Sequence, residues 1–169
     1  MRRLVRFIDS TTRYIGETEK WLCYALIVVV VYDVVMRYVF NNPPMWSFDT
    51  SIMLGGTIYV LAFSFTHLYR AHVRVDVIYA NLSPRKKAII DAAGTLLLLF
   101  PLIALLIRES FHWMWRAWTI KEVFMITYWY PPAAPFRTVV LLGFCLLFLQ
   151  AIPQFIRDLY FSVKNKPYD

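Results

Sequence analysis

Three histidines, His67, His72 and His112, have the most obvious capacity for chemistry in this chain of 169 residues. Imidazole nitrogens bind metal ions, and a pair of histidines on facing membrane helices can hold a haem iron from both sides. Such a site requires two histidines at the same depth. Its formation therefore depends on the segments that carry them.

One of these histidines opens the segment HVRVDV, in which valine alternates with His72, Arg74 and Asp76. Alternation with a period of two is typical of a half-buried β-strand. A solitary strand would leave its edge groups unpaired, and this segment has no second strand to pair with. On a helix the same residues separate into apolar and charged faces. We therefore expect a short helix or turn at the membrane surface.

The composition defines the environment of these segments. Hydrophobic residues make up 59% of the chain and charged residues only 17%, too few to cover a soluble fold. A helix crosses a hydrocarbon core of about 30 Å with roughly 20 apolar residues. Backbone groups in lipid must be paired internally, and the alternating segments of a barrel are missing from the sequence. The sequence predicts one all-α domain, an integral membrane four-helix bundle with transmembrane helices at about 21–40, 48–69, 88–107 and 136–156.

Residues 1–20 precede the first span and combine an apolar stripe with several arginines. Leu4, Phe7 and Ile8 lie on the stripe, whereas Arg6 and Arg13 lie on the remaining surface. This pattern predicts an N-terminal amphipathic helix lying at the membrane interface. No small-residue cleavage site follows the first span, so we expect a retained helix and not a signal peptide.

The net charge of +7 would suggest nucleic acid in a soluble protein, but the basic residues here are sorted by side of the membrane. Most of them precede the first span, lie between spans two and three, or follow span four. By the positive-inside rule, both termini and the middle loop are cytoplasmic. Tryptophan shows the opposite bias and suits the outer headgroup belt: Trp46, Trp113, Trp115, Trp118 and Trp129. We expect contact with membrane lipids and none with nucleic acid.

This topology separates the histidines in depth. His67 lies at the inner end of span two, His72 in the cytoplasmic loop, and His112 beyond the outer end of span three. Cys23 and Cys145 lie in apolar spans without a CxxC motif, as is typical of small buried hydrophobic residues. We therefore expect no cofactor, no metal site and no enzymatic activity.

Polar side chains within the spans are candidates for contact with another protein, because such groups usually face protein and not lipid. Asp33 and Arg37 are one helical turn apart and can neutralise each other. Asp49 falls in the first turn of a helix that Ser47 is expected to cap. Gln150 lies deeper, where its amide would seek another helix.

Several motifs occur together in a recognisable order. They are the four-span layout, WSFD at Trp46–Asp49, HVRVDVIY at His72–Tyr79 followed by LSPRKK, and the stretch from WYPP to GFCLLFLQ at Trp129–Gln150. In this order and spacing the chain resembles, over nearly its whole length, the small membrane subunit, DctQ-type, of tripartite ATP-independent periplasmic (TRAP) transporters.

The resemblance implies a function in the bacterial inner membrane. In such systems a periplasmic binding protein captures the substrate, and a large membrane subunit moves it with a sodium gradient. The small subunit is then a non-conducting scaffold, and the WYPP stretch resembles the branch associated with organic acid uptake. Both other proteins are expected partners. Candidate contacts with the large subunit are Asp33, Arg37, Asp49, His72, Arg74, Asp76 and Gln150.

The outer loop Glu109–Tyr130 is a candidate docking surface for the binding protein, through Arg116, Lys121 and Glu122. Simple anchoring of its tryptophans in the headgroups is the alternative. Two other classes of protein stay open. One is a quinone- or haem-binding anchor of a respiratory complex. The other is an autonomous four-helix channel or carrier, although the sequence shows neither a polar path nor broken helices at the midplane.

Overall fold

The computed structural model describes residues 2–69 and 82–164, and this part of the chain is almost entirely helical. Its helices are α1 (Arg2–Tyr38), α2 (Met45–Leu68), α3 (Pro84–Gly94), α4 (Phe100–Thr119) and α5 (Ala134–Lys164). A π-helical turn, Thr95–Leu99, joins α3 to α4. The segment HVRVDV lies outside the described residues, so its helix or turn stays a prediction.

Four helical stretches are long and apolar enough to cross a membrane: Val5–Tyr38, Met45–Leu68, Pro84–Thr119 and Ala134–Lys164. They correspond to the four predicted spans, and the all-helical, four-span class is confirmed. Each stretch begins earlier than predicted, and the last two also end later. The 37 residues of α1 make a helix of about 55 Å. A helix longer than the hydrocarbon thickness must tilt or extend beyond it.

No break occurs in α1 at residue 20, where the sequence predicts a boundary between an interfacial helix and the first span. Val5, Thr12 and Glu19 are buried along one side of its N-terminal half. A Cβ on Gly16 would overlap the ring of Phe65 in α2. The N-terminal half of α1 therefore packs against the rest of the chain as a continuation of the first span. Burial of one side of this half stabilises the helix across residue 20, so no break forms there. Its amphipathic placement at the interface stays a prediction.

The helices lie side by side in the order α1, α2, α5, and then α3 with α4. α1 also contacts α5, but among the described residues it does not pack extensively on α3 or α4. The sequence predicts a four-helix bundle but not the order of its helices. In the structure α2 and α5 stand between the outermost helices.

The two ends of this row are defined by contacts between helices. Arg85 of α3 donates a hydrogen bond to the Ser162 carbonyl of α5 at 2.8 Å, and α1 begins at the same end. We call this the termini end. The loops 39–44 and 120–133 lie at the opposite end, which we call the loop end. Both described chain ends therefore share one side, as the predicted topology requires.

The interior is small for a chain of this mass. Its core cluster is Ile103, Leu147 and Ala151, with Phe63 and Phe100 packed against it. The chain exposes 11581 Å² of surface. A compact soluble monomer of 20.0 kDa would expose about 8,700 Å². This excess, with apolar side chains exposed along every spanning helix, fits a protein covered by lipid and partner proteins.

The connection at the loop end, residues 120–133, folds back on itself. The Ala133 amide donates to the Glu122 carbonyl at 2.8 Å, which closes a short antiparallel bridge. The predicted outer loop Glu109–Tyr130 is wrong at its start, because α4 continues to Thr119. No glycine or proline lies between residues 109 and 119 to end the helix.

The start of α2 also differs from the prediction. The helix begins at Met45, with Pro44 at its N-cap, so Ser47 lies inside the first turn and does not cap it. The Ser47 hydroxyl donates a hydrogen bond to the Pro44 carbonyl at 2.9 Å. This leaves the side chain close to α1, where it takes part in a contact between helices.

Candidate functional site

A polar cluster joins α1 to α5 near the termini end. The Thr12 hydroxyl donates to Oε1 of Gln150 at 2.8 Å, and Nε2 of Gln150 donates to Oδ1 of Asp9 at 2.9 Å. Arg157 donates to the other Asp9 oxygen at 2.5 Å. Gln150 is fully buried. The helix that its amide was expected to seek is α1 of the same chain, and we call these four residues the termini-end cluster.

A second polar contact joins α1 to α2 at the loop end. Asp33 and Arg37 form the predicted pair within α1, with Nη2 and Oδ2 3.0 Å apart. The Ser47 hydroxyl of α2 lies 2.5 Å from Oδ1 of Asp33. Arg37 remains about half exposed, so it can reach solvent or a headgroup. The pair therefore holds two helices together and leaves one cationic group at the surface.

A third contact fixes the loop to α2. Asp49 is buried, and its Oδ2 accepts a hydrogen bond from the Thr127 hydroxyl. The Asp49 Oδ1 is also buried and has no hydrogen-bond partner among the described residues. Thr127 further accepts a bond from the Trp129 amide at 3.3 Å. A carboxylate in the first turns of α2 thus positions the tip of the 120–133 loop.

The base of this loop is fixed by an ion pair. Arg137 of α5 donates two hydrogen bonds to the Glu122 carboxylate, both at 2.7 Å. The guanidinium also lies 5.2 Å from the ring centroid of Trp113 in α4. These two hydrogen bonds, aided by the positive charges of Arg137 and Arg116, lower the pKa of Glu122 below its ordinary value. Arg137 of α5 therefore holds both the 120–133 loop and α4 against α5.

An apolar groove of about 320 Å³ lies between α2, the loop and α5 near the loop end. Its walls are almost entirely apolar. The lining residues are Thr50, Met53, Leu54, Thr57, Trp129, Pro135, Phe136 and Val139. Such walls suit a hydrocarbon group and provide no charged group for catalysis.

The structure places the predicted contact residues in different surroundings. Asp33, Asp49 and Gln150 bond to groups of this chain. Arg37 pairs with Asp33 and is also half exposed. His72, Arg74 and Asp76 lie outside the described residues. Arg116 is exposed on the last turn of α4, Lys121 is exposed with a positive φ of 51°, and Glu122 pairs with Arg137. Their contacts with partner proteins stay predictions.

Several residues of these contacts do not stand out in the sequence. Asp9 and Thr12 could have been found because they are polar residues on the side of α1 that packs against the chain. Glu19 lies on the same side. Glu19 is itself buried, with one carboxylate oxygen unpaired within the described part. Thr127 carries no such signal, because its role depends on how the loop folds.

No group of three or more histidine, cysteine, aspartate or glutamate residues is placed to hold a metal ion within residues 2–69 and 82–164. His67 lies near the end of α2 and His112 in the middle of α4. Cys23 and Cys145 are both free thiols.

The class of protein follows from these observations. Four spanning helices form a row whose polar side chains mainly join helix to helix and helix to loop. This arrangement defines a multi-pass helical membrane protein.

The particular family follows from a comparison with known families. Residues 26–160 match the family described as "Tripartite ATP-independent periplasmic transporters, DctQ component". The chain belongs to this family. Its members are components of a transporter and function with the DctM and DctP components. Neither a curated protein nor a solved structure matches the chain.

Proposed function

We propose that this chain is the non-conducting scaffold subunit of a sodium-coupled, binding-protein-dependent transporter that imports an organic acid anion across the bacterial inner membrane. Membership of the DctQ family supports the part concerning the transporter. The likeness of the WYPP stretch to the organic acid branch supports the choice of substrate. The chain's contribution is to hold the large membrane subunit in a fixed position.

The observation that supports the scaffold role is that polar contacts join the helices of the row at both of its ends. The termini-end cluster joins α1 to α5 across three hydrogen bonds. At the loop end, Ser47 joins α2 to Asp33 of α1, and Arg137 joins α5 to Glu122. Helices fastened at both ends resist sliding past each other, which suits a frame against which another subunit moves.

The charge distribution supports an orientation with the termini end in the cytoplasm. Arg3, Arg6 and Arg13 are exposed near the start of α1, and Lys86 and Lys164 are exposed at the same end. The described tryptophans other than Trp21 lie on the loop-end half of the chain, as an outer aromatic belt requires: Trp46, Trp113, Trp115, Trp118 and Trp129. The loops 39–44 and 120–133 then face the periplasm, where a binding protein would dock.

The HVRVDV segment has a structural role in this proposal. Arg74 and Asp76 pair with each other or with the large subunit, and His72 packs or hydrogen-bonds at the loop. Arg74→Ala and Asp76→Ala test this role. The measurement is the amount of large subunit that co-purifies with each variant. Full recovery with both variants would remove the segment from the interface.

Reconstitution tests the function as a whole. Vesicles with the large subunit, the binding protein and this chain should take up substrate when a sodium gradient is applied. Omitting the chain should abolish uptake, and vesicles with this chain alone should take up nothing. Sodium-driven uptake by this chain alone would refute the scaffold role.

A further inference from the structure

One side of α2 is turned away from its neighbours in the row. Met45, Phe48, Ile52 and Tyr59 are between 41% and 66% exposed. Together with Gly55 they repeat at alternating spacings of three and four residues. This is the spacing with which one helix packs along another. We call these five residues the outer stripe of α2.

The contacts of α2 show that residues 2–69 and 82–164 leave the outer stripe uncovered. Gly16 of α1 approaches Phe65, whereas Phe136 and Gly143 of α5 approach Gly56 and Val60. None of these α2 positions belongs to the outer stripe. The stripe therefore faces the surroundings of the chain, either lipid or another protein.

Tyr59 argues against lipid as the covering. It is 66% exposed and lies past the midpoint of Met45–Leu68. Side chains lean towards the N-terminus of their helix, which brings the hydroxyl towards mid-depth. In the described part of the chain its ring contacts Phe63 at 4.8 Å, and its hydroxyl makes no hydrogen bond. A hydroxyl unpaired in hydrocarbon is costly, and tyrosines of membrane proteins concentrate at the interfaces.

Gly55 argues for a closely packed helix. A Cβ at Gly55 would meet nothing within 4 Å, whereas one at Gly16, Gly56 or Gly143 would overlap a neighbouring side chain. Glycine destabilises a helix relative to alanine, and no contact within the described chain requires it here. An open glycine on a spanning helix lets the backbone of another helix approach closely. It lies one turn from Tyr59 on the same side.

We propose that the outer stripe of α2 is the seam for a transmembrane helix of the large membrane subunit. The backbone of that helix lies against Gly55, and it offers a hydrogen-bonding group to the Tyr59 hydroxyl. This inference rests on the proposed function, which supplies the large membrane subunit as the partner; the DctQ family functions with the DctM and DctP components of TRAP transporters. Lipid and a second copy of this chain are the alternative occupants.

Gly55→Leu tests the seam without disturbing the chain, because the added side chain points into open space. Gly94→Leu is the matched control, since Gly94 is also helical with nothing within 4 Å but lies on α3, outside the outer stripe of α2. Each tagged variant is co-expressed with the large subunit and purified in mild detergent. We expect Gly55→Leu to lower recovery of the large subunit about tenfold, which corresponds to about 1.4 kcal/mol of affinity. Gly94→Leu should retain full recovery, and equal recovery from the two variants would overturn the seam.

A photo-crosslinking amino acid at position 59 identifies the occupant in the membrane. We expect an adduct with the large subunit. An adduct with a second copy of the chain, or with lipid alone, would overturn the inference. Thermal unfolding of purified Gly55→Leu should match the wild type, which excludes misfolding as the cause of lost recovery.

The wild-type chain separates failure of the seam from failure of the proposed function. If it does not recover the large subunit, the proposed function fails and the seam fails with it. If wild type and Gly55→Leu recover it equally, only the seam is wrong. Tyr59→Phe removes the hydroxyl alone and should lower recovery less than Gly55→Leu does.

Discussion

Gln150 of α5 and Asp9 of α1 are joined by a hydrogen bond of 2.9 Å near the termini end. Gln150 also accepts a bond from Thr12, so its amide uses both its oxygen and its nitrogen on one facing helix. The amide is fully buried. A buried amide with both ends bonded fixes the register of two helices, because any sliding leaves polar groups unpaired.

Replacing this amide should weaken the attachment of α1. Gln150→Leu leaves the Thr12 hydroxyl buried without its partner and removes one donor to Asp9. We expect a loss of about 1–2 kcal/mol of stability, measured by thermal unfolding of the purified chain in detergent. Leu149→Ala, on the exposed side of the same helix, is the control and should change stability less.

Removing both members of a bond separates pairing from packing. Thr12→Val combined with Gln150→Leu should be more stable than Gln150→Leu alone, because no hydroxyl is then left unpaired. A double variant less stable than either single variant would contradict this account of the cluster.

Gly143 should tolerate no side chain. A Cβ there would lie 2.2 Å from Cγ1 of Val60 and 3.2 Å from its carbonyl oxygen. Gly143→Ala must therefore push α5 away from α2, and we expect a loss of about 1–3 kcal/mol in the same unfolding measurement. Gly94→Ala meets nothing and should gain up to about 1 kcal/mol from helix propensity. Equal effects of the two substitutions would contradict close packing at Gly143.

The sequence predicts some of this structure and not the rest, for physical reasons. The four spans follow from long apolar runs, and the pair Asp33–Arg37 follows from a spacing of one helical turn. The bond between Thr12 and Gln150 joins residues 138 positions apart, so it depends on the register between two helices. The contact between Asp49 and Thr127 depends on a folded loop. Local patterns carry no information about such distant contacts.

Acid should weaken the base of the 120–133 loop. The pKa of Glu122 lies below its ordinary value of 4.5, chiefly because Arg137 donates hydrogen bonds to the charged form. A carboxylate with a lowered pKa stabilises the fold above its unfolded pKa, and the stabilisation is lost as the pH falls through the folded value. The unfolding temperatures of wild type and Glu122→Gln should therefore differ at neutral pH and converge below pH 4.5. Glu17→Gln, at an exposed position of α1, is the control and should change the unfolding temperature less at neutral pH.

The exposed cations at the loop end should assist docking of the binding protein. Arg116 and Lys121 are exposed, whereas the nearby Arg137 is used by Glu122. Long-range attraction between charges raises association rates and weakens as salt screens it. Uptake at limiting binding-protein concentration should fall severalfold in the double variant Arg116→Glu and Lys121→Asp. Aspartate suits position 121 because it tolerates a positive φ.

Three conditions distinguish docking from simple anchoring of this end in the headgroups. Saturating binding protein should restore uptake by the double variant, because docking affects encounter and not transport itself. Raising the salt concentration should narrow the difference from wild type. Lys164→Glu, an exposed charge change at the termini end, should leave uptake unchanged at every binding-protein concentration. If uptake with the double variant equals wild-type uptake at limiting binding protein and low salt, these cations anchor this end in the headgroups and do not assist docking.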